Sequence, residues 1–194
     1  GNAVRIAETG QTHADGPWPA NSACLWVRWS NDGGRTWVDA SRPEPWRWQE
    51  THKGKTWNCS GYEGSLVRAA NGWIIAGLRI SASPRYYDHP FLNDNLMGTG
   101  FSISKDNGQT WSPIQRIFDA GRMHANLLRL PNNDLVMTVI RRTDIRDGKL
   151  ASYRRGCDAV VSHDNGLTWA VDPLDLIDAT PYCAGESWLQ RLTG

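Results

Sequence analysis

Apolar residues along this chain of 194 residues come in short runs, each bounded by polar turn residues. Cys24-Leu-Trp-Val-Arg-Trp29, Gly100-Phe-Ser-Ile103 and Ala159-Val-Val161 have the length and residue types of buried strands. Residues 63–79 read EGSLVRAANGWIIAGLR and residues 124–141 read HANLLRLPNNDLVMTVIR. Each predicts a strand, a tight polar turn and a second strand. With one inserted residue they align, Leu66 with Leu127, Arg68 with Arg129, Asn71 with Asn132, Ile74 with Val136 and Arg79 with Arg141. Few stretches look helical, so the pattern predicts an all-β chain of repeated hairpins.

A second repeat lies downstream of each strand run. Residues 30–37, 104–111 and 162–169 share the pattern S-x-D-x-G-x-T-W. Five fixed positions in three copies mark a common turn. The Asp carboxylate can accept backbone N–H groups of the turn, and Gly34, Gly108 and Gly166 can supply positive φ. The Trp then opens the next strand and can pack over the loop. Asp32, Asp106 and Asp164 look like carboxylates of a calcium or acid–base site. A carboxylate committed to its own hairpin is not available for chemistry, so a structural role is expected for all three.

Together the two repeats define a four-stranded antiparallel unit with the Asp-containing turn between its third and fourth strands. The reading gives a partial unit over residues 1–48, full units over 63–118 and 122–177, and a stub at 185–194. Radial repetition of such units predicts a β-propeller. Residues 81–97 form a long loop between the second and third strands of the second unit, and long loops often carry function.

Composition refines this picture. The chain holds 11 Trp and 19 Gly, which fits many hairpins. Lys and Arg number 21 against 20 Asp and Glu, for a net charge of +1, with no basic block, so a general nucleic-acid binder is not expected. Mean hydropathy is −0.53, and no apolar run has the length of a membrane span. The four cysteines, Cys24, Cys59, Cys157 and Cys183, form no C-x-x-C pair. His13, His52, His89 and His163 lack metal-ligand spacing, so no metal and no cofactor is expected.

The S-x-D-x-G-x-T-W motif is the Asp box, and the chain resembles the sialidase (neuraminidase) superfamily from about Ala23 to Ile177. That resemblance implies a six-bladed β-propeller, of which this chain supplies about three four-stranded blades. An unclosed ring exposes sheet edges, so a fragment or truncated reading frame that is unstable alone or self-associates is expected. The resemblance also implies a secreted or periplasmic exo-α-sialidase-type glycoside hydrolase. Its partner would be a sialoside-type or other acidic glycan. The alternatives are a non-catalytic propeller that binds glycans or proteins, and an inactive fragment of an enzyme.

Sialidases hold a substrate carboxylate with three arginines, use a Tyr assisted by a Glu as nucleophile, and use an Asp as acid/base. Arg122-Met-His-Ala resembles the family's Arg-Ile-Pro opening, with His124 in place of the Pro. By resemblance, Arg122 and Arg142 would bind the carboxylate and Asp147 would transfer the proton. Two Asp boxes precede this segment, whereas in the family Arg-Ile-Pro precedes the boxes. Glu63 and Arg79 resemble the assisting Glu and another arginine. The internal alignment favours Arg141 where family spacing favours Arg142, and it puts His124 in the place of Glu63. Rim charges are the alternative for each. Tyr62, Tyr86 and Tyr87 do not match the nucleophile. Trp46, Trp48 and Trp57 are candidates for stacking on a sugar or for packing.

Overall fold

The computed structural model describes residues 3–9, 24–86, 94–146, 149–152 and 155–171. The stub at 185–194, Cys183, His13, His89, Tyr87 and Asp147 lie outside the described residues. Strands β1 (Ala3–Thr9), β2 (Cys24–Ser30) and β3 (Val38–Ser41) form one antiparallel sheet in chain order. Strands β4 (Arg47–His52), β5 (Lys55–Arg68), β6 (Ile74–Ile80), β7 (Gly98–Ser104) and β8 (Gln115–Phe118) form a second, also in chain order. The third begins with β9 (Arg122–Arg129) and β10 (Leu135–Arg141). A hairpin of β11 (Asp144–Arg146) and β12 (Lys149–Ser152) follows. The chain then returns as β13 (Gly156–Ser162) to pair with β10. A bridge between Val161 and Ala170 continues the meander beyond the third Asp box.

Residues 42–59 read as a Pro/Trp-rich connection, yet they fold into a hairpin. Strand β4 pairs with the first half of β5 from Arg47↔Ser60 to His52↔Lys55. Lys53 and Gly54 have φ of 50° and 74°, the paired positive values of a turn matched to strand twist. From Gly61 onward β5 changes partner to β6. Glu63 therefore lies inside a long strand and not at its head.

Alternation along β6 builds two cores. Ile74, Ala76, Leu78 and Ile80 face the first sheet, packing with Leu25, Val27 and Trp111. Ile75 faces the third sheet, with Leu135, Met137 and Val160. Gly77 shares that second face, where a Cβ would come within 3.1 Å of Ala125 and Leu127, so its bare backbone lets β9 lie close. Burial on both faces explains why β6 and β7 are buried throughout.

All three Asp boxes fold alike. Asp32 accepts the Thr36 backbone N–H at 2.9 Å and the Thr36 hydroxyl at 2.7 Å. Asp106 accepts the corresponding pair from Thr110 at 2.9 and 2.5 Å, and Asp164 from Thr168 at 2.9 and 2.5 Å. The box serine takes the glycine N–H, at 2.7 Å for Ser30 and Gly34. These bonds, the Thr36 backbone N–H first, hold the Asp32 carboxyl at about 2. The Thr110 hydroxyl leads the set that does the same to Asp106. Burial pushes Asp164 upward, but Thr168 and Ser162 outweigh it and hold it low.

The second and third boxes also grip the sheet before them. Trp111 meets Trp46 edge-on at 4.8 Å, and Trp169 meets Phe101 at 6.0 Å. Trp29 donates its indole N–H to Asn107 O at 2.9 Å, and Arg68 donates to Asn107 Oδ1 at 2.7 Å.

Candidate functional site

The Asp boxes share the end of the sheets where the β5–β6 and β9–β10 turns lie. Charged residues gather at the other end. On β6, Arg79 is one step from the strand's last residue, paired across to Thr99. It lies on the face of Ile75 and Gly77, turned toward β9. Its side chain is 4% exposed, and its Nη1 donates to Glu63 Oε2 at 3.0 Å. The same carboxylate oxygen lies 2.7 Å from His124 Nδ1. Glu63 and His124 remain accessible, with side chains 37% and 27% exposed. Three strands thus converge on one carboxylate.

A second set adjoins the first through β9. Arg122 donates Nε to Asp158 Oδ2 at 2.7 Å and Nη2 to Asp144 Oδ1 at 3.3 Å. Its guanidinium also lies over the Phe118 ring, 4.9 Å from the centroid. Arg141 Nη1 lies 3.2 Å from Asp158 Oδ1. The Asp158 side chain is fully buried, so one carboxylate bridges two arginines out of solvent. Thr99 ties the sets together by donating its hydroxyl to Arg122 O at 2.7 Å.

The arginine alternatives part here. The guanidinium that meets Asp158 is that of Arg141. Arg142 follows the end of β10, with its backbone N–H on Gly121 O at 2.8 Å. Strand register also corrects the internal alignment. Ile74 pairs with Ser104 and Leu135 with Ser162, the first residue of each box. Ile74 therefore corresponds to Leu135 and not to Val136, and Arg79 to Ile140. Arg141 stands one residue further on, with the opposite parity. That difference fits their different partners, Glu63 on the first strand for Arg79 and Asp158 on the third for Arg141.

Asp144 and Asp158 escaped the sequence reading. Both lie far from their arginines along the chain, and neither stands in a motif. The aromatic candidates divide. Trp46 is buried against Trp111 and belongs to the core. Trp48 donates its indole N–H to Glu50 at 2.7 Å beneath Arg116. Trp57 is half-buried, with Lys55 Nζ 3.9 Å from its centroid. Tyr86 is buried. Tyr62 is buried beside Met97 and Met123, its hydroxyl 3.2 Å from Ser81 Oγ, and burial pushes its phenol up.

His163 is 71% exposed and pairs with Asp134 at 2.9 Å, which holds the Asp134 carboxyl low. The Cys59 thiol is buried 4.0 Å from Trp57 O, and Cys157 stands as a half-buried thiol. Among the described residues, no group of His, Cys, Asp and Glu could hold a metal ion. No helix among them is long and apolar enough to cross a membrane.

Comparison with known proteins bears on the fold. The BNR/Asp-box repeat family model matches residues 102–113, around the second box. Among solved structures, the Hadza microbial sialidase Hz136 superposes with a TM-score of 0.50 at 15% identity, covering 76% of this chain and 30% of that one. An intramolecular trans-sialidase from Ruminococcus gnavus, solved with oseltamivir carboxylate, gives 0.47 at 18% identity, with 82% and 27% covered. A protein of unknown function from Dyadobacter fermentans gives 0.38 at 15% identity, with 83% and 57% covered. No curated protein matches the chain. The chain spans less than a third of the length of the two sialidases. The repeat and the Hz136 superposition show a sialidase-like Asp-box fold, part of a β-propeller.

Proposed function

We propose that the chain carries part of the glycan site of a sialidase-like glycoside hydrolase, of exo-α-sialidase type, acting on sialic-acid-containing or other acidic glycans. The observation that carries this reading is the gathering of Arg79, Arg122 and Arg141 with Glu63 and His124 at one end of the sheets. Guanidinium forks match a carboxylate bidentately and stay charged at every working pH. Asp158 and Asp144 hold Arg122 through Nε and Nη2, which fixes its plane in advance of a ligand. Asp147 and Arg142 remain candidates for proton transfer and carboxylate binding on family resemblance alone.

One observation favours a second reading, a non-catalytic propeller that binds glycans. Each of the three arginines already has a carboxylate partner, so the set can serve as a rigid binding surface.

Turnover of a fluorogenic sialoside decides between them, measured on the purified chain and on a longer version of it. Hydrolysis by either, lost in Arg122→Ala with folding intact, supports the enzyme. Binding of a sialoside without turnover supports the binder. Neither turnover nor binding by either chain sinks both readings.

A further inference from the structure

His124 is the one member of the cluster whose backbone is strained. Its φ is +58° inside strand β9, where a non-glycine residue rarely goes. The cause is a bulge. Arg122 pairs with Arg141 and Met123 with Ile140, and pairing resumes at Asn126↔Thr138. His124 and Ala125 thus stand together opposite Val139. Bulges of this kind bend a strand and re-aim a side chain. Here the imidazole is aimed across to β5, with Nδ1 2.7 Å from Glu63 Oε2. Buried Arg79 donates Nη1 to the same oxygen at 3.0 Å. Backbone strain of this sort persists only where its surroundings impose it, and it concentrates at functional sites.

The arrangement has a definite chemical consequence. A neutral imidazole that donates Nδ1–H to a carboxylate carries its lone pair on Nε2, so the carboxylate selects the tautomer and fixes the ring. Glu63 meets His124 from β5, Arg79 reaches the same Glu63 oxygen from β6, and Arg122 precedes His124 by two residues on β9. The imidazole is accessible to solvent, and Arg79, one of the arginines that would seat an acidic sugar, shares its Glu63 oxygen.

We propose that His124, oriented by Glu63, is a proton-transferring catalytic residue of this site. The proposal rests on the hydrolase reading above and gives the acid/base role within it to His124 in place of Asp147. As the anomeric C–O bond breaks, its electron pair goes to the leaving oxygen, which takes the proton from Nε2 of the imidazolium. Water then forms the new C–O bond at the anomeric carbon and returns one proton to Nε2. One water is consumed, and the imidazolium is restored.

Two variants test the role without relying on a residue that cannot fold there. Asn tolerates positive φ and offers Glu63 an amide donor, so His124→Asn keeps the bulge and removes the exchangeable imidazole proton. His124→Gly keeps the backbone and empties the ring's place. Both are made in whichever chain hydrolyses the fluorogenic sialoside. His124→Asn should melt like the parent and lose about a hundredfold or more in kcat with little change in KM. Added free imidazole should restore turnover to His124→Gly, in proportion to the imidazole base or acid present as pH is varied. Retention of kcat in His124→Asn, or no rescue of His124→Gly by imidazole, overturns the role of His124 and leaves the hydrolase reading standing. Absence of turnover by the unmodified chain and its longer version overturns both.

Discussion

The two ends of the sheets carry carboxylates held in opposite ways. At one end, Asp32, Asp106 and Asp164 are each bound by groups within four residues of themselves. At the other, Glu63 meets Arg79 and His124, and Asp158 meets Arg122 and Arg141, all across large gaps in the chain. The first set is exposed or half-exposed and locally satisfied. The second is partly or wholly buried and is satisfied only when several strands have assembled. A carboxylate tied to its own turn stabilises a hairpin. A carboxylate supplied by distant strands brings cations together near a surface that a ligand can reach.

The sharpest way to break this contrast is Asp158→Ala. It leaves two arginines without their shared buried partner, and chemical denaturation should show a loss of about 3–5 kcal/mol. Gly166→Ala should cost less, about 1–3 kcal/mol, by a different route. There φ is +88°, and the new Cβ would come within 2.9 Å of buried Ile75. The same melt would show whether the third box anchors the third sheet to the second.

Acid separates the locally held carboxylates. The carboxyls of Asp32 and Asp106 sit at about 2 in the folded chain, below the usual 3.8. A lowered folded value means that their contribution is fully present above pH 3.8 and is lost as pH falls through about 2. Tryptophan fluorescence against pH should therefore show stability falling over that window. Asp106→Asn should make the fall shallower. The smallest effect is expected on the site itself. Asp106→Asn stands at the far end of the sheets and should change sialoside binding or turnover by less than about twofold. A larger change would show that the two ends are coupled.

Much of this was legible before any coordinates. Leu25–Val27, Phe101–Ile103 and Ala159–Val161 read as strands because their apolar runs are bounded by turns. The Asp boxes read as turns because Ser, Asp, Gly and Thr satisfy one another within eight residues. The hairpin at Lys53-Gly54 was missed because Pro and Trp on its flanks masked a weak two-residue turn signal. The choice between Arg141 and Arg142 stayed open because alternation assigns a face only when register is known, and the bulge at His124 shifts register on the partner strand.

Chain chemistry within reach of a few residues thus set the strands, the turns and the structural fate of three aspartates. Hydrogen bonds there close over short loops, so residue type and spacing suffice. Which arginine meets which carboxylate was settled by sheet assembly. Glu63, Arg79 and His124 come from three strands, and Asp144 and Asp158 from two more. Such contacts depend on register, a bulge and a bare glycine that lets β9 approach β6. These are properties of packed strands, and no local pattern in the chain encodes them.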